Sequence, residues 1–324
     1  MAGSQNKDRV DMHVHFIPSF YRDALDEAGQ AAPDGIKSLP EWTEEAALHS
    51  MEELGVHTSI LSISSPGVHF GDNKKSRELC RRINEYGADL KVRYPGRFGH
   101  FASVPLPDVD GAIEEATFAL DTLGADGVVV QSNHNGLYLG DEKLEPFWAA
   151  LNERKSIVFV HPTAPPAVNS ERINKKIPQP VMEFFFDTSR SFVDLITSGV
   201  LKRYSQMRFI VPHAGAVLPI LTNRIDTGLQ MLTSHSGGEP IPKLHDAMRV
   251  LHFDLAGLPI PELLMGLLGL AEKTRLHYGS DYPFTEAAVM QNLLEKLETT
   301  PLLDPKVKTA MFGDNSRKLL AKSA

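Results

Sequence analysis

The chain has 324 residues, 42% hydrophobic and 23% charged, with 41 acidic against 33 basic side chains and a formal net charge of −8. That length suits a single α/β barrel of roughly 250 residues with insertions, and the acidic balance argues against a nucleic-acid partner, which needs clustered lysine and arginine. The single cysteine, Cys80, excludes an internal disulfide and fits a reducing compartment such as the cytosol.

Met1 to Arg9 is polar and charged, so no secretory signal is expected there. Strand-like runs then recur along the chain. They are Arg9–His15, His57–Ile63, Phe98–Val104, Gly127–Gln131, Ser156–His161, Met207–His213, Val250–Asp254 and Arg275–Asp281. Helical patterns lie between them, among them Asp110–Leu123, Leu144–Arg154, Pro180–Tyr204 and Glu286–Leu297. Strands alternating with helices imply βαβ units and a parallel sheet, and eight of them suit a closed (β/α)8 TIM barrel forming one domain over residues 1–324. No glycine-rich dinucleotide fingerprint follows the first run, which disfavours an open doubly wound sheet. The most apolar stretch, Leu255–Ala271, is broken by Pro259, Pro261 and Glu262 and reads as a buried helix with its entry loop, so no membrane association is expected. Two connections, Pro18–Glu41 and Pro162–Pro180, are too long to be plain turns. Both follow strands, so a barrel places these insertions on its catalytic face.

The chemistry-bearing residues collect at strand ends. His13 and His15 are two apart on one strand, so their side chains share a face with Cα atoms about 7 Å apart. His161, His213 and Asp281 each end an apolar run at the edge where barrel enzymes keep catalytic groups. Any one of them alone reads as a hydrogen-bonded core histidine or a capping aspartate. Together, at the ends of the first, fifth, sixth and eighth strands, they point to a shared cation, which satisfies several buried polar groups at once. Imidazoles with one carboxylate and an open position suit zinc, with manganese or iron also acceptable. The fourth strand ends at Gln131 without a lysine to carbamylate, so a single ion is expected. His252 and His277 read as packing residues within strands, and His100 as a residue that could line the barrel.

Asp11-Met-His-Val-His15, Phe159-Val-His-Pro162, Val211-Pro-His-Ala-Gly215 and Gly279-Ser-Asp-Tyr-Pro283 resemble the motifs of the amidohydrolase superfamily. Pro95-Gly-Arg-Phe98, Leu123-Gly-Ala-Asp-Gly127 and Phe312-Gly-Asp-Asn315 extend the likeness from Val10 to about Leu320. Within the superfamily the chain resembles the mononuclear decarboxylase branch, which holds the aminocarboxymuconate-semialdehyde and γ-resorcylate decarboxylases. The resemblance implies a metal-dependent carboxy-lyase that binds one divalent ion, zinc or alternatively manganese, through His13, His15, His161 and Asp281. It makes His213 the catalytic histidine and Asp281 the acid. The implied reaction is nonoxidative decarboxylation of an ortho-hydroxybenzoate, with 6-methylsalicylate going to 3-methylphenol and carbon dioxide. Hydrolysis of a lactone or amide at the same barrel is the alternative. The segment Glu45–Met51 lacks the arginines that bind a second substrate carboxylate in the semialdehyde decarboxylase, which favours a small aromatic monocarboxylate. Phe16, Trp42, His69, Phe185 and Arg190 are candidate substrate contacts, and a homodimer is the assembly common among such relatives.

Overall fold

The computed structural model describes residues 8–166, 176–236 and 240–321. The eight barrel strands are β1 (Arg9–His15), β2 (Val56–Ser62), β3 (Phe98–Ser103), β4 (Gly127–Gln131), β5 (Ile157–His161), β6 (Arg208–Val211), β7 (His252–Asp254) and β8 (Leu276–His277). They lie in chain order in one sheet, and every adjacent pair is parallel. The chain after β8 returns to β1, where the amide of Met12 donates to Tyr278 (2.9 Å) and that of His15 to Tyr282 (2.7 Å), closing the barrel. This is the (β/α)8 architecture expected from the alternating pattern.

Local signals set the helices between the strands. Thr43 caps helix Glu44–Leu54 by accepting from the Ala46 amide, and Gly55 ends that helix in the left-handed region directly before β2. Asp72 and Asp108 cap Asn73–Arg93 and Val109–Asp121 in the same way. The single helix expected over Pro180–Tyr204 is two, Glu183–Thr197 and Val200–Arg203, because Gly199 at φ 80° breaks it. The seventh run begins as a strand only at His252, since Val250 still closes the helix Leu244–Val250. Inside Leu255–Ala271 only Glu262–Leu268 is helical, with Leu264 and Leu267 buried. Among the described residues no helix is long and apolar enough to cross a membrane.

Two apolar layers position the site. Val10, Met12, Ile60, Phe101, Val129, Ile157, Phe159 and Ile210 plug the barrel interior, and a larger cluster fills the space between strands and helices. Each large side chain so buried contributes about 1.5–3 kcal/mol. Above the plug the lining turns from hydrocarbon to imidazole, with the Phe159 ring edge-on to His13 at 5.0 Å. The pairing register shifts between Asp11 and Val14, so Met12 joins the interior plug while His13 and His15 reach the site above it. A bulge changes parity in this way.

The expectation that His100 lines the barrel is overturned. Its neighbour Phe101 is in the interior plug, whereas His100 faces helix Asn73–Arg93, where a Cβ on Gly87 would lie 2.9 Å from the imidazole. His100 is fully buried, and among the described residues neither ring nitrogen has a hydrogen-bond partner. Burial lowers its pKa to about 4. The unfolded chain therefore takes up a proton near pH 6.5 that the folded chain refuses until about pH 4, so His100 costs stability as the pH falls through that window. The cost reaches the order of 3 kcal/mol at its acid end. His100→Leu should match the wild type in Tm to within a few degrees at pH 7.5 and gain on it steadily toward pH 4.5. A Tm difference that does not change with pH would contradict this reading.

Candidate metal centre

His13 and His15 at the end of β1, His161 at the end of β5, His213 just beyond β6 and Asp281 beyond β8 converge at the C-terminal mouth of the barrel. Asp281 Oδ1 lies 3.5 Å from His13 Nε2 and 3.2 Å from His15 Nε2, and its Oδ2 lies 4.0 Å from His213 Nε2. The His15 and His161 rings are 4.7 Å apart, and those of His13 and His213 are 5.0 Å apart. The four imidazoles are buried.

Each of the first three rings is oriented from behind. His13 Nδ1 donates to Asp254 Oδ2 at 3.0 Å, His161 Nδ1 to the Pro162 carbonyl at 2.7 Å, and His15 Nδ1 to Ser62, whose hydroxyl at 3.1 Å gives its own proton to the Val14 carbonyl and whose carbonyl lies at 3.3 Å. Carbonyls and carboxylates only accept, so in the neutral rings, the form that binds a metal, these contacts put the proton on Nδ1 and leave the Nε2 lone pair facing inward. Nε2 of both His13 and His15 is buried without a hydrogen-bond partner, and His161 Nε2 has only the Ser64 hydroxyl at 3.4 Å. Inward lone pairs with outward anchors are what a metal site requires of its histidines.

The charges agree with that fit. Burial disfavours a charged His13, yet Asp254 and then Asp281 outweigh it and lift the imidazole to about 9. Burial holds His15 and His161 low, well below the usual histidine range for His161. Burial works against a charged Asp281, but His15, His213 and His13 keep it well below the ordinary carboxylate value. The donor set thus combines a carboxylate kept ionised with imidazoles kept neutral and one position that attracts positive charge. It fits a divalent cation.

The backbone is strained where the site is built. His213, Ala214, Ala216 and Asp281 have φ of 54–61°, in the left-handed region that residues other than glycine seldom occupy. Gly279 lets the eighth strand pass β1, because a Cβ there would lie 2.7 Å from that of His13.

A small cavity of about 70 Å³ opens beside His161, His213 and Asp281, walled by Phe184 and Phe284 and reached by Asp34 and Pro180 from the two long insertions. Of the second insertion, residues 167–175 lie outside the described residues. A chamber of about 760 Å³ adjoins the ends of β3 and β4, with His69, Gln131 and His134 in its wall. Among the candidate substrate contacts, Phe185 stacks on His213 at 5.3 Å, and His69 lines only the larger chamber. Phe16 and Trp42 do not line the cavity beside the histidines; they pack with Tyr86 in the outer core, since Phe16 follows the inward His15 by one residue. Arg190 is exposed, with Nη1 3.9 Å from Asp187. Asp254, Ser62, Ser64, Asp34 and Phe284 were not singled out by the sequence. Of these, Asp254 had a visible signal: it ends its strand at the same edge as His161.

A family model of the amidohydrolases matches residues 10–322. The chain is 38% identical over 326 residues to decarboxylase yanB of Aspergillus niger, covering 96% of this chain and 87% of that one. It is 37% identical over 279 residues to the 6-methylsalicylic acid decarboxylase of Penicillium expansum, covering 85% of each. The solved structure of 5-carboxyvanillate decarboxylase from Novosphingobium aromaticivorans, complexed with manganese and 4-hydroxy-3-methoxy-5-nitrobenzoic acid, superposes with a TM-score of 0.85 at 22% identity. That match covers 99% of this chain and 97% of that one, and it speaks for the fold. The chain belongs to the amidohydrolase family, and its relatives set it among the family's decarboxylases rather than its hydrolases.

His161→Ala should abolish stoichiometric binding of a divalent metal in elemental analysis. Asp254→Asn, which leaves the clustered histidines and Asp281 in place but loses the anchor of His13, should weaken binding about 10- to 100-fold in chelator competition. Undiminished affinity in the Asp254 variant would contradict the role given to that anchor.

Proposed function

We propose that the protein is a metal-dependent decarboxylase of ortho-hydroxybenzoates, converting 6-methylsalicylate to 3-methylphenol and carbon dioxide. The observation that carries this reading is the open, aromatic-walled cavity against a His/His/His/Asp cluster, in a chain 37% identical to a 6-methylsalicylic acid decarboxylase. His13, His15, His161 and Asp281 are the proposed ligands of one divalent ion. Zinc is the ion its donor set suits first, and manganese, present in several structural neighbours, is the alternative. Once bound, the ion supplies Lewis acidity and a template for the substrate's carboxylate and phenol oxygens.

The remaining work falls to the chain's own side chains. Phe184 and Phe284 wall the cavity and exclude water from one aromatic ring. Stacking on Phe185 fixes the plane of His213, whose backbone N–H is held by Asp254 at 3.0 Å. His213 is proposed to hydrogen-bond the reacting carboxylate. Asp281 delivers a proton to the ring carbon that bears the carboxylate, forming the C–H bond. The C–C bond to the carboxylate then breaks, its electron pair returns to the ring, and carbon dioxide leaves. Asp281 takes that proton from solvent as the substrate binds, because the substrate's negative charge beside it favours the protonated acid, and Asp281 returns to the carboxylate form when the C–H bond forms.

Metal-loaded protein incubated with 6-methylsalicylate should release 3-methylphenol, detected chromatographically, and chelation should stop it. Asp281→Asn should lower kcat by at least about 10²-fold. Near-normal turnover in that variant would remove Asp281 from the acid role.

A further inference from the structure

Asp34 is a carboxylate at the site to which the proposed reaction gives no task. It sits on the first long insertion, in a tight turn over Pro33–Gly35, and lines the cavity beside His161, His213 and Asp281. It also lines the larger chamber next to it. Its backbone is at φ 56° and that of Gly35 at φ 78°, so the turn holds a residue other than glycine in the left-handed region. Such strain persists where surrounding structure imposes it, and aspartate and asparagine are the side chains that bear it best.

The partners of Asp34 leave it acceptor capacity. Burial pushes its carboxyl above the usual carboxylate range, the Ser65 hydroxyl and the Ala164 amide act the other way as donors to it, and among the described residues no lysine or arginine acts on it. A carboxylate has about four lone-pair sites, so two donors do not saturate it. Across the chamber, Gln131 Oε1 at the end of β4 is buried without a hydrogen-bond partner. Gln131 lines the chamber, but its Oε1 is closed off from it, so Asp34 is the acceptor open to a ligand there.

Volume bounds the size of that ligand. The metal-side cavity of about 70 Å³ is small for a substituted benzoate, whereas the chamber of about 760 Å³ is within the usual 300–1,000 Å³ of small-molecule pockets. Asp34 lines both spaces, so a ring too large for the cavity at the histidines meets it on the way into the chamber.

We propose that Asp34 is a specificity-determining residue: its carboxylate accepts a hydrogen bond from a donor substituent, such as a second hydroxyl, on the far edge of the ring, and repels a second carboxylate there. This rests on the decarboxylase reading and deepens it by assigning a residue to ring-substituent choice. A hydrogen bond to a charged acceptor is worth roughly 10- to 100-fold in discrimination.

The test compares 2-hydroxybenzoate with its 3-, 4-, 5- and 6-hydroxy derivatives on metal-loaded wild type, Asp34→Asn and Asp34→Ala. It reads kcat/KM by product release and binding affinity by calorimetry. Asn keeps the left-handed turn, so that variant guards against misfolding. At least one hydroxylated acid should lose about tenfold or more in Asp34→Ala while 2-hydroxybenzoate changes by less than about threefold, and an acid with a second carboxylate should bind more tightly to Asp34→Asn than to the wild type. Equal losses on every acid, or no loss on any, in folded variants would overturn the proposal. If the wild type turns over none of the acids, the decarboxylase reading fails, and the affinities alone still decide the role of Asp34.

Discussion

Asp254 is fully buried, and both its oxygens are committed: Oδ2 accepts from His13 Nδ1, and Oδ1 accepts from the amides of His213 and Ala256. A carboxylate cannot sit in such a place without donors, and here the donors are the parts of the site itself. One contact turns the His13 lone pair inward, and the other fixes the strained turn that carries His213. His13 is the ring neighbour of His15, His161 and His213, and Asp281 approaches the inward nitrogens of His13, His15 and His213. Without Asp254, His13 would lose the partner that orients it and the His213 turn would lose its anchor.

The fold makes this arrangement affordable. Below the histidines the barrel is plugged with Phe159, Phe101 and aliphatic side chains, so the cluster stands on a dry, rigid floor where electrostatic contacts are strong. Above it, the two long insertions bring Asp34 and Pro180 over the mouth. Parallel strands aim their C-terminal ends one way, and the proposed ligands, far apart in the chain, meet because β1, β5 and the turn after β8 deliver them to one rim.

Much of this was legible in the residues. Strand alternation placed His13 and His15 on one face, and the apolar runs ending in His161, His213 and Asp281 marked the rim. The aromatic candidates were harder. Phe16 lies one residue past an inward histidine, so the same alternation sends it outward to Trp42 and Tyr86. His100 was ambiguous because β3 is buried on both faces, and polarity alone cannot tell barrel interior from helix layer. The shift of register between Asp11 and Val14 comes from the packing of β1 on β2 and leaves no local mark. Asp34 is one acidic residue in a long loop, and only the closed fold brings it to the cavity.

The central claim is that three imidazoles and one carboxylate hold a single ion at this rim. X-ray absorption at the metal edge, with elemental analysis of the reconstituted protein, tests it most directly. One divalent ion per chain is predicted, with three nitrogen donors from His13, His15 and His161 and carboxylate oxygen at about 2.0–2.2 Å. Two ions per chain, or a coordination shell without imidazole, would contradict it.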